Sequence, residues 1–268
     1  MRDAPRSPSQ PSESDRSVTG LFPSRSTSES ISDPAVRTIL ATGEIQFEGQ
    51  FVWGSNHTFL TRLRHPTGEL LAVYKPQRGE RPLWDFPDGT LAARELAAWQ
   101  TSETLGWQLV PPTVFRRDGP AGPGSVQLFL DLDPERHYFT FSAEEKELLR
   151  PAAVFDLLIN NADRKGGHIL LAPDRHVWLI DHGVCFHQEL KLRTVIWDFA
   201  GEPVPDPLLS AVERFRQGLG ADGEARAAMA ELLSREEVDA LVRRAAEIVD
   251  RPVFPFPGDG RPYPWPLV

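Results

Sequence analysis

One cysteine, Cys185, in 268 residues leaves nothing to pair with, so a disulfide framework of the secreted kind is excluded and a reducing compartment fits. Nowhere do eighteen consecutive apolar residues occur, and the first residues lack the apolar core of a secretion signal. A membrane span and secretion are therefore unsupported, and a cytoplasmic location is the expectation. Lysine and arginine form no block and are outnumbered by acidic residues, 29 against 38, for a net charge of −9. That balance argues against a nucleic-acid binder and against a polybasic membrane anchor. What is present, 40% hydrophobic and 25% charged residues, is the composition of a globular chain long enough for one large domain or two lobes.

Residues 1–32 are rich in serine and proline with few large apolar side chains, the signature of a disordered tail. Asp33-Pro34 then reads as an N-cap followed by proline at the first helical position, opening a short helix over 35–41. Short apolar runs bounded by turn residues predict strands at 44–51, 58–63, 70–74, 113–115 and 125–130, interrupted by one helix over 90–105 that stops at Gly106. From Ser142 the signals turn helical. The capping-box pattern Ser142-Ala-Glu-Glu145 starts one helix, Pro151 restarts it toward Asn161, and two more follow at 208–219 and 234–249. Proline and aromatics between 252 and 266 exclude a helix there and predict an extended tail. The reading is an α+β, two-lobed chain: a β-rich N-lobe over 33–130, a helical C-lobe over 131–250, a Pro-rich extension over 251–268, and a cleft between the lobes suited to a nucleotide.

Asp163-Arg-Lys-Gly-Gly-His168, the apolar run Ile169-Leu-Leu, a turn, and Val177-Trp-Leu-Ile-Asp181-His-Gly183 form the most telling stretch. The two apolar runs predict a hairpin that brings both aspartates together. Phosphoryl transfer needs a carboxylate to orient or deprotonate the attacking hydroxyl, and a second carboxylate with a neutral ligand to hold a cation on the nucleotide phosphates. Asp163, Asp181 and His168 fit these roles in that order. Lys75, ending the strand 70–74, is the candidate to neutralise phosphates, and Glu95 in the following helix is the candidate to pair with it. The turn Gly54-Ser55-Asn56-His57-Thr58 could cover phosphates with backbone N–H groups and small side chains, Ser55 and Asn56 among them. Taken singly, a strand-end lysine is ordinarily a solvated edge charge, a glutamate in an alanine-rich helix a surface residue, and Gly-Ser-Asn-His a plain turn. The ordered set of lysine, glutamate and two aspartates carries the reading.

Ala72-Val-Tyr-Lys75-Pro76, Val110-Pro-Pro-Thr113, Gly124-Ser-Val-Gln-Leu-Phe129, Asn160-Asn-Ala-Asp163-Arg164 and Leu179-Ile-Asp181-His-Gly183-Val-Cys-Phe186 together resemble the phosphatidylinositol 3- and 4-kinase superfamily, most closely the type II phosphatidylinositol 4-kinases. Within it the chain is similar to an actinobacterial group with no settled substrate. The resemblance spans about residues 43–200 and implies a protein-kinase-like fold that uses ATP with Mg²⁺ or Mn²⁺. It also implies an adenine-binding hinge at Gln127, Leu128, Phe129 and Leu130, a catalytic aspartate and arginine at Asp163 and Arg164, and a principal metal ligand at Asp181. One departure stands out: His168 replaces the asparagine that serves as a cation ligand in that family. Imidazole suits Mn²⁺ better than the harder Mg²⁺. The cysteine run that carries lipid anchors in type II lipid kinases is missing.

Three readings stay open at this level. The first is an ATP-dependent phosphotransferase whose hydroxyl acceptor is a protein, a small molecule or a phosphoinositide. Lys191 and Arg193 offer a thin basic surface that leaves room for peripheral lipid contact. The second is a nucleotide-binding pseudokinase, or an adenylyl transferase on the related fold. The third is a metal hydrolase built on His168, His176, His182 and His187, which no ligand spacing such as His-Glu-x-x-His supports. In it His176, in the hairpin turn, is expected to be solvated.

Overall fold

A computed structural model describes residues 34–51 and 56–268. The serine-rich stretch 1–32, Asp33 and Ser55 lie outside the described residues. In chain order the elements are α1 (Pro34–Thr42), β1 (Glu44–Phe51), β2 (Thr58–His65), β3 (Gly68–Pro76), α2 (Leu91–Leu105), β4 (Thr113–Arg116) and β5 (Gly124–Leu128). After them come α3 (Ala143–Lys146), α4 (Arg150–Ile159), β6 (Ile169–Leu171), β7 (Val177–Leu179), α5 (Asp206–Gly218), α6 (Glu224–Ala230) and α7 (Arg235–Asp250).

Five strands make one antiparallel sheet in the order β1-β2-β3-β5-β4. The period of two along β3 decides what faces where. Leu70, Ala72 and Tyr74 are buried and pack with Ile39 and Leu40 of α1, Leu63 of β2 and Val126 of β5. Leu71, Val73 and Lys75 therefore point to the opposite face, toward the cleft. Gly124 allows β5 to pair so closely at the end of β3: a Cβ there would lie 2.4 Å from the Lys75 carbonyl oxygen.

The larger core joins α2 to the helical lobe. Ala97, Ala98, Trp99 and Leu105 of α2 pack with Phe155 and Leu158 of α4, Val212 and Phe215 of α5, and Leu241 of α7. Helix α2 is buried on most of its circumference, so it is sandwiched between the lobes, not laid on a surface. Gly106 in the left-handed region (φ 72°) ends it, as a glycine just past a helix commonly does. Its first turn is capped from a distance, the Glu80 carboxylate accepting from Leu91 N–H at 3.2 Å and Ala92 N–H at 2.9 Å. Strands β6 and β7 form a two-stranded hairpin, Ile169 opposite Leu179 and Leu171 opposite Val177. Among the described residues no helix is long and apolar enough to cross a membrane.

The helix α6 was not foreseen; its seven residues, EARAAMA, carry too short a pattern for a periodic signal. The 251–268 extension is indeed without helix, and it is bonded to the helical lobe: Phe254 is buried, and its carbonyl accepts from Gly201 N–H at 2.9 Å.

Candidate active site

The cleft is built from four pieces of chain. Lys75 projects from β3 and its ammonium pairs with the Glu95 carboxylate of α2 and, at 3.1 Å, with Asp181 Oδ1. The second oxygen of Glu95 accepts from His182 N–H at 3.0 Å, so one buried carboxylate ties the lysine to the backbone beside Asp181. Glu95 is itself held. Its neighbour Arg94, buried on another side of α2, binds Glu237 of α7 at 2.6 Å and the Cys185 carbonyl at 2.7 Å. Of these two adjacent charges, Glu95 joins the two lobes and Arg94 anchors the helix to the helical lobe.

Asp181 adopts the left-handed backbone conformation (φ 61°), uncommon for a residue with a side chain and a form of strain that gathers at functional sites. Its side chain is half exposed, 52%. Lys75 holds its carboxyl well below the usual carboxylate range, against the opposing effect of burial. The same pairing works in reverse on the lysine: burial pulls its pKa down, the Asp181 and Glu95 carboxylates push it up, and the net shift is upward. Lys75 is a fixed cation.

The Asp163–His168 loop is shaped from within by asparagines. Asn161 accepts from Asp163 N–H at 2.9 Å and donates to Asp156 at 3.0 Å, while Asn160, in the left-handed region at the end of α4, binds His187, Glu189 and Lys191 backbone groups. Asp163 lies 3.2 Å from the Lys165 ammonium. Burial raises its pKa to about 6, Lys165 and Arg193 offsetting part of the shift and Asp181 adding to it. A carboxylate poised near neutrality suits a general base.

Arg164 stands behind the site. It is fully enclosed, binds Asp156 through Nε and Nη2 at 3.0–3.1 Å, donates to the Ile180 carbonyl at 2.8 Å and meets His182 Nε2 at 2.8 Å. A direct role for it as a catalytic group does not fit this enclosure; its hydrogen bonds hold the loop and the Asp181 segment from behind. Asp156, also bonded by Thr194 at 3.1 Å, is the hub of that buried network.

His168 Nε2 lies 3.5 Å from Asp181 Oδ2. Burial lowers its pKa to about 4, with Arg164, Lys165 and Lys75 reinforcing the effect and Asp181 opposing it, so the imidazole is neutral at physiological pH. Its Nδ1 receives a long contact of 3.4 Å from Lys165 N–H, which favours the proton on Nε2. The donor set of one carboxylate and one neutral imidazole fits a divalent cation, provided that proton shifts to Nδ1 and frees Nε2 as a ligand.

The other histidines do not converge. His182 is buried against Arg164, His187 Nε2 reaches the Asp85 carbonyl at 2.9 Å, and His176 Nε2 reaches the Gln108 carbonyl at 2.9 Å with its ring 4.3 Å from Trp178. His176 is thus half-buried and engaged, not solvated in the turn. Among the described residues no group of three or more His, Cys, Asp and Glu side chains is arranged to hold a metal.

At the expected hinge the Gln127 side chain binds Thr113 Oγ1 at 2.9 Å, Leu128 N–H donates to the Pro112 carbonyl and Phe129 N–H to the Leu71 carbonyl. Leu128 and Leu130 pack with Leu170 over Ala172 and the buried Trp178. Leu170 closes an apolar patch between the lobes that sequence reasoning had passed over, although its place in β6, two residues beyond His168, was there to be used. Lys165 was also overlooked, although Asp-x-Lys within a Gly-rich loop puts a cation beside the carboxylate. Asn56 has its side-chain oxygen on Arg81 N–H at 2.7 Å, and His57 N–H donates to the Gly79 carbonyl at 3.0 Å; this end of the turn folds onto the segment after β3.

The fold is a two-lobed, kinase-like one. It matches the proinflammatory kinase CtkA of Helicobacter pylori with a TM-score of 0.50 at 12% identity, covering 80% of this chain and 94% of that one, a likeness of fold. The chain belongs to the family of Protein Rv2133c from Mycobacterium tuberculosis (strain ATCC 25618 / H37Rv), with which it is 44% identical over an alignment 263 positions long that covers 85% of this chain and 94% of the relative. A shorter stretch of 127 residues, 41% of this chain, is 31% identical to phosphatidylinositol 4-kinase gamma 4 of Oryza sativa subsp. japonica and spans 22% of that protein. No family model matches the chain.

Proposed function

We propose that this protein is an ATP-dependent phosphotransferase that moves the γ-phosphoryl group of ATP to a hydroxyl acceptor. The observation that carries the reading is the convergence of Lys75, Glu95 and Asp181 from β3, α2 and the segment after β7. Nothing in folding requires three ionised side chains to meet at a solvent-facing cleft. The partial likeness to a plant phosphatidylinositol 4-kinase supports the same chemistry.

In this reading Lys75 neutralises the α and β phosphates, Glu95 fixes its ammonium, and Leu128, Leu130 and Leu170 receive the adenine ring. Asp163 orients the acceptor hydroxyl and takes its proton as the new P–O bond forms and the bond to the ADP leaving oxygen breaks. Lys165 balances charge on the transferring group. Asp181 and His168 would hold a divalent cation, Mg²⁺ or Mn²⁺, which supplies charge neutralisation on the phosphates. A protein or small-molecule acceptor is favoured over a phosphoinositide, because Lys191 is already bound to Asp85 at 3.0 Å and Arg193 alone is little for an anionic headgroup. A pseudokinase is the second reading, favoured by the contact between His168 and Asp181, which competes with cation binding.

The test is transfer of label from γ-labelled ATP by the purified full chain in Mg²⁺ and in Mn²⁺, followed into protein, lipid and small-molecule fractions. Transfer that disappears in both Asp163→Asn and Asp181→Asn supports the assignment. Transfer that survives both overturns it, and ATP binding without any transfer selects the pseudokinase.

A further inference from the structure

The segment 262–268 packs against the loop that carries Asp163 and His168. The Pro262 carbonyl accepts from Thr194 N–H at 3.1 Å and from the Trp197 indole N–H at 3.3 Å, and the Leu267 carbonyl accepts from Gly166 N–H at 2.7 Å. Thr194 in turn bridges to Arg164 in parallel fashion, so the segment runs along the outer edge of the Asp163–His168 loop and the strand-like stretch beside it. The two glycines of that loop make the room. A Cβ on Gly166 would fall 2.8 Å from the Phe139 ring and 3.4 Å from the Leu267 carbonyl, and one on Gly167 would fall 3.7 Å from Val268.

The chemistry of the contact is one-sided. The lobe offers three N–H donors and the segment answers with carbonyls, while prolines at 262, 264 and 266 remove N–H groups that would otherwise need partners. Pro264 is buried, whereas the Trp265 side chain is 88% exposed. N–H donors that read carbonyls beside aromatic rings, here Trp197 and Phe139, are features of the grooves that receive proline-rich peptides.

We propose that this trough, from Thr194 and Trp197 to Gly166 and Phe139, is a recognition groove for a proline-rich peptide, filled in this chain by its own residues 262–268. An incoming peptide segment of a protein acceptor displaces them and is thereby laid beside Asp163. Naming that occupant an acceptor rests on the phosphotransferase reading; the groove itself does not. A tethered occupant competes at an effective concentration on the order of mM, so the full chain should bind the same peptide supplied separately much more weakly than a variant whose own segment has been dislodged.

The experiment is fluorescence anisotropy with a labelled peptide of sequence RPYPWPLV, free of ATP and metal, against the full chain and against Pro264→Asp, which puts a charge at a buried position of the segment. Binding to Pro264→Asp at least about ten-fold tighter than to the native chain is the expected result. Trp197→Phe, which removes one donor while leaving the chain otherwise intact, should weaken peptide binding when combined with Pro264→Asp. Circular dichroism establishes that each variant is folded; should Pro264→Asp fail to fold, Trp197→Phe alone must loosen the segment and raise the rate of proteolytic cleavage between 255 and 268. Equal binding to native and variant chains, no binding to either, or an unchanged cleavage rate overturns the groove. Peptide binding without Asp163-dependent label transfer would leave the groove standing and remove the phosphotransferase.

Discussion

Asp163→Asn should make the protein more stable at neutral pH while sharply reducing the phosphotransfer proposed for it. The native carboxyl has its pKa raised from 3.8 to about 6, chiefly by burial. Folding therefore tightens proton binding, and the stabilisation that goes with it is complete below the unfolded pKa and lost as pH rises through about 6. At pH 7.5 the ionised side chain is a net burden. Two pKa units correspond to roughly 3 kcal/mol, and because the side chain is 33% exposed solvent screening brings this to ~1–2 kcal/mol. Asparagine keeps the shape and removes the charge, so its advantage should be ~1–2 kcal/mol at pH 7.5, worth about 2–6 °C in melting temperature for a chain of this size, and should vanish near pH 4. Urea unfolding of both proteins in EDTA at pH 7.5 and pH 4.5 measures it, since titrating groups that do not interact with Asp163 cancel in the difference. Phosphotransfer by the same variant should fall by about 10²–10⁴, the usual share of a general base. A variant less stable than native at pH 7.5, or a stability difference that does not change between the two pH values, would refute the environment assigned to Asp163.

Lys75→Met should weaken ATP binding at least about ten-fold, measured with a fluorescent nucleotide, and raise the pKa of Asp181, since Lys75 is the main cause of its depression; an unchanged affinity would remove the lysine from the phosphate site. His168→Asn should move the metal preference of transfer from Mn²⁺ toward Mg²⁺, an oxygen donor replacing imidazole, and an unaltered metal profile would place His168 outside the coordination sphere. Arg164→Met should cost about 3–5 kcal/mol in urea unfolding, because Asp156, fully buried, loses its charged partner; a loss of activity without a loss of stability would restore Arg164 to a direct role in the chemistry.

Much of the fold was legible because its signals are local. Alternation in β3, the proline and glycine punctuation around the strands, the capping boxes at Ser142 and Ser234, and the turn between β6 and β7 each depend on a few consecutive residues, and each element appears where those residues point. The ionised set of the site was legible for a related reason: a lysine closing a strand, a glutamate in the next helix and two aspartates flanking a hairpin are separable in sequence. What they do not reveal is direction. Arg164 stands next to Asp163, yet one is sealed under the loop and the other opens on the cleft, a distinction set by Asp156 eight residues earlier and by Thr194 thirty residues later.

Helix α2 shows most clearly where one-dimensional reading ends. Its apolar residues mark no single face because nearly every side is covered, so the usual inference from an amphipathic stripe has nothing to work with. Arg94 and Glu95, read in sequence, look like two surface charges that offset each other. In the folded chain they are both buried and do not pair; Glu95 binds Lys75 of the sheet, and Arg94 binds Glu237 of α7. Buried charges tolerate only specific partners, so neither contact can be given up cheaply. The helix is in consequence a strut between sheet and helical lobe, and Glu95 is held against Lys75 with the help of the Arg94 salt bridge about 100° round the same helix. A rotation of α2 against α7 that carried Glu95 out of the cleft would have to break the Arg94–Glu237 pair, which ties the readiness of the site to the packing of α7.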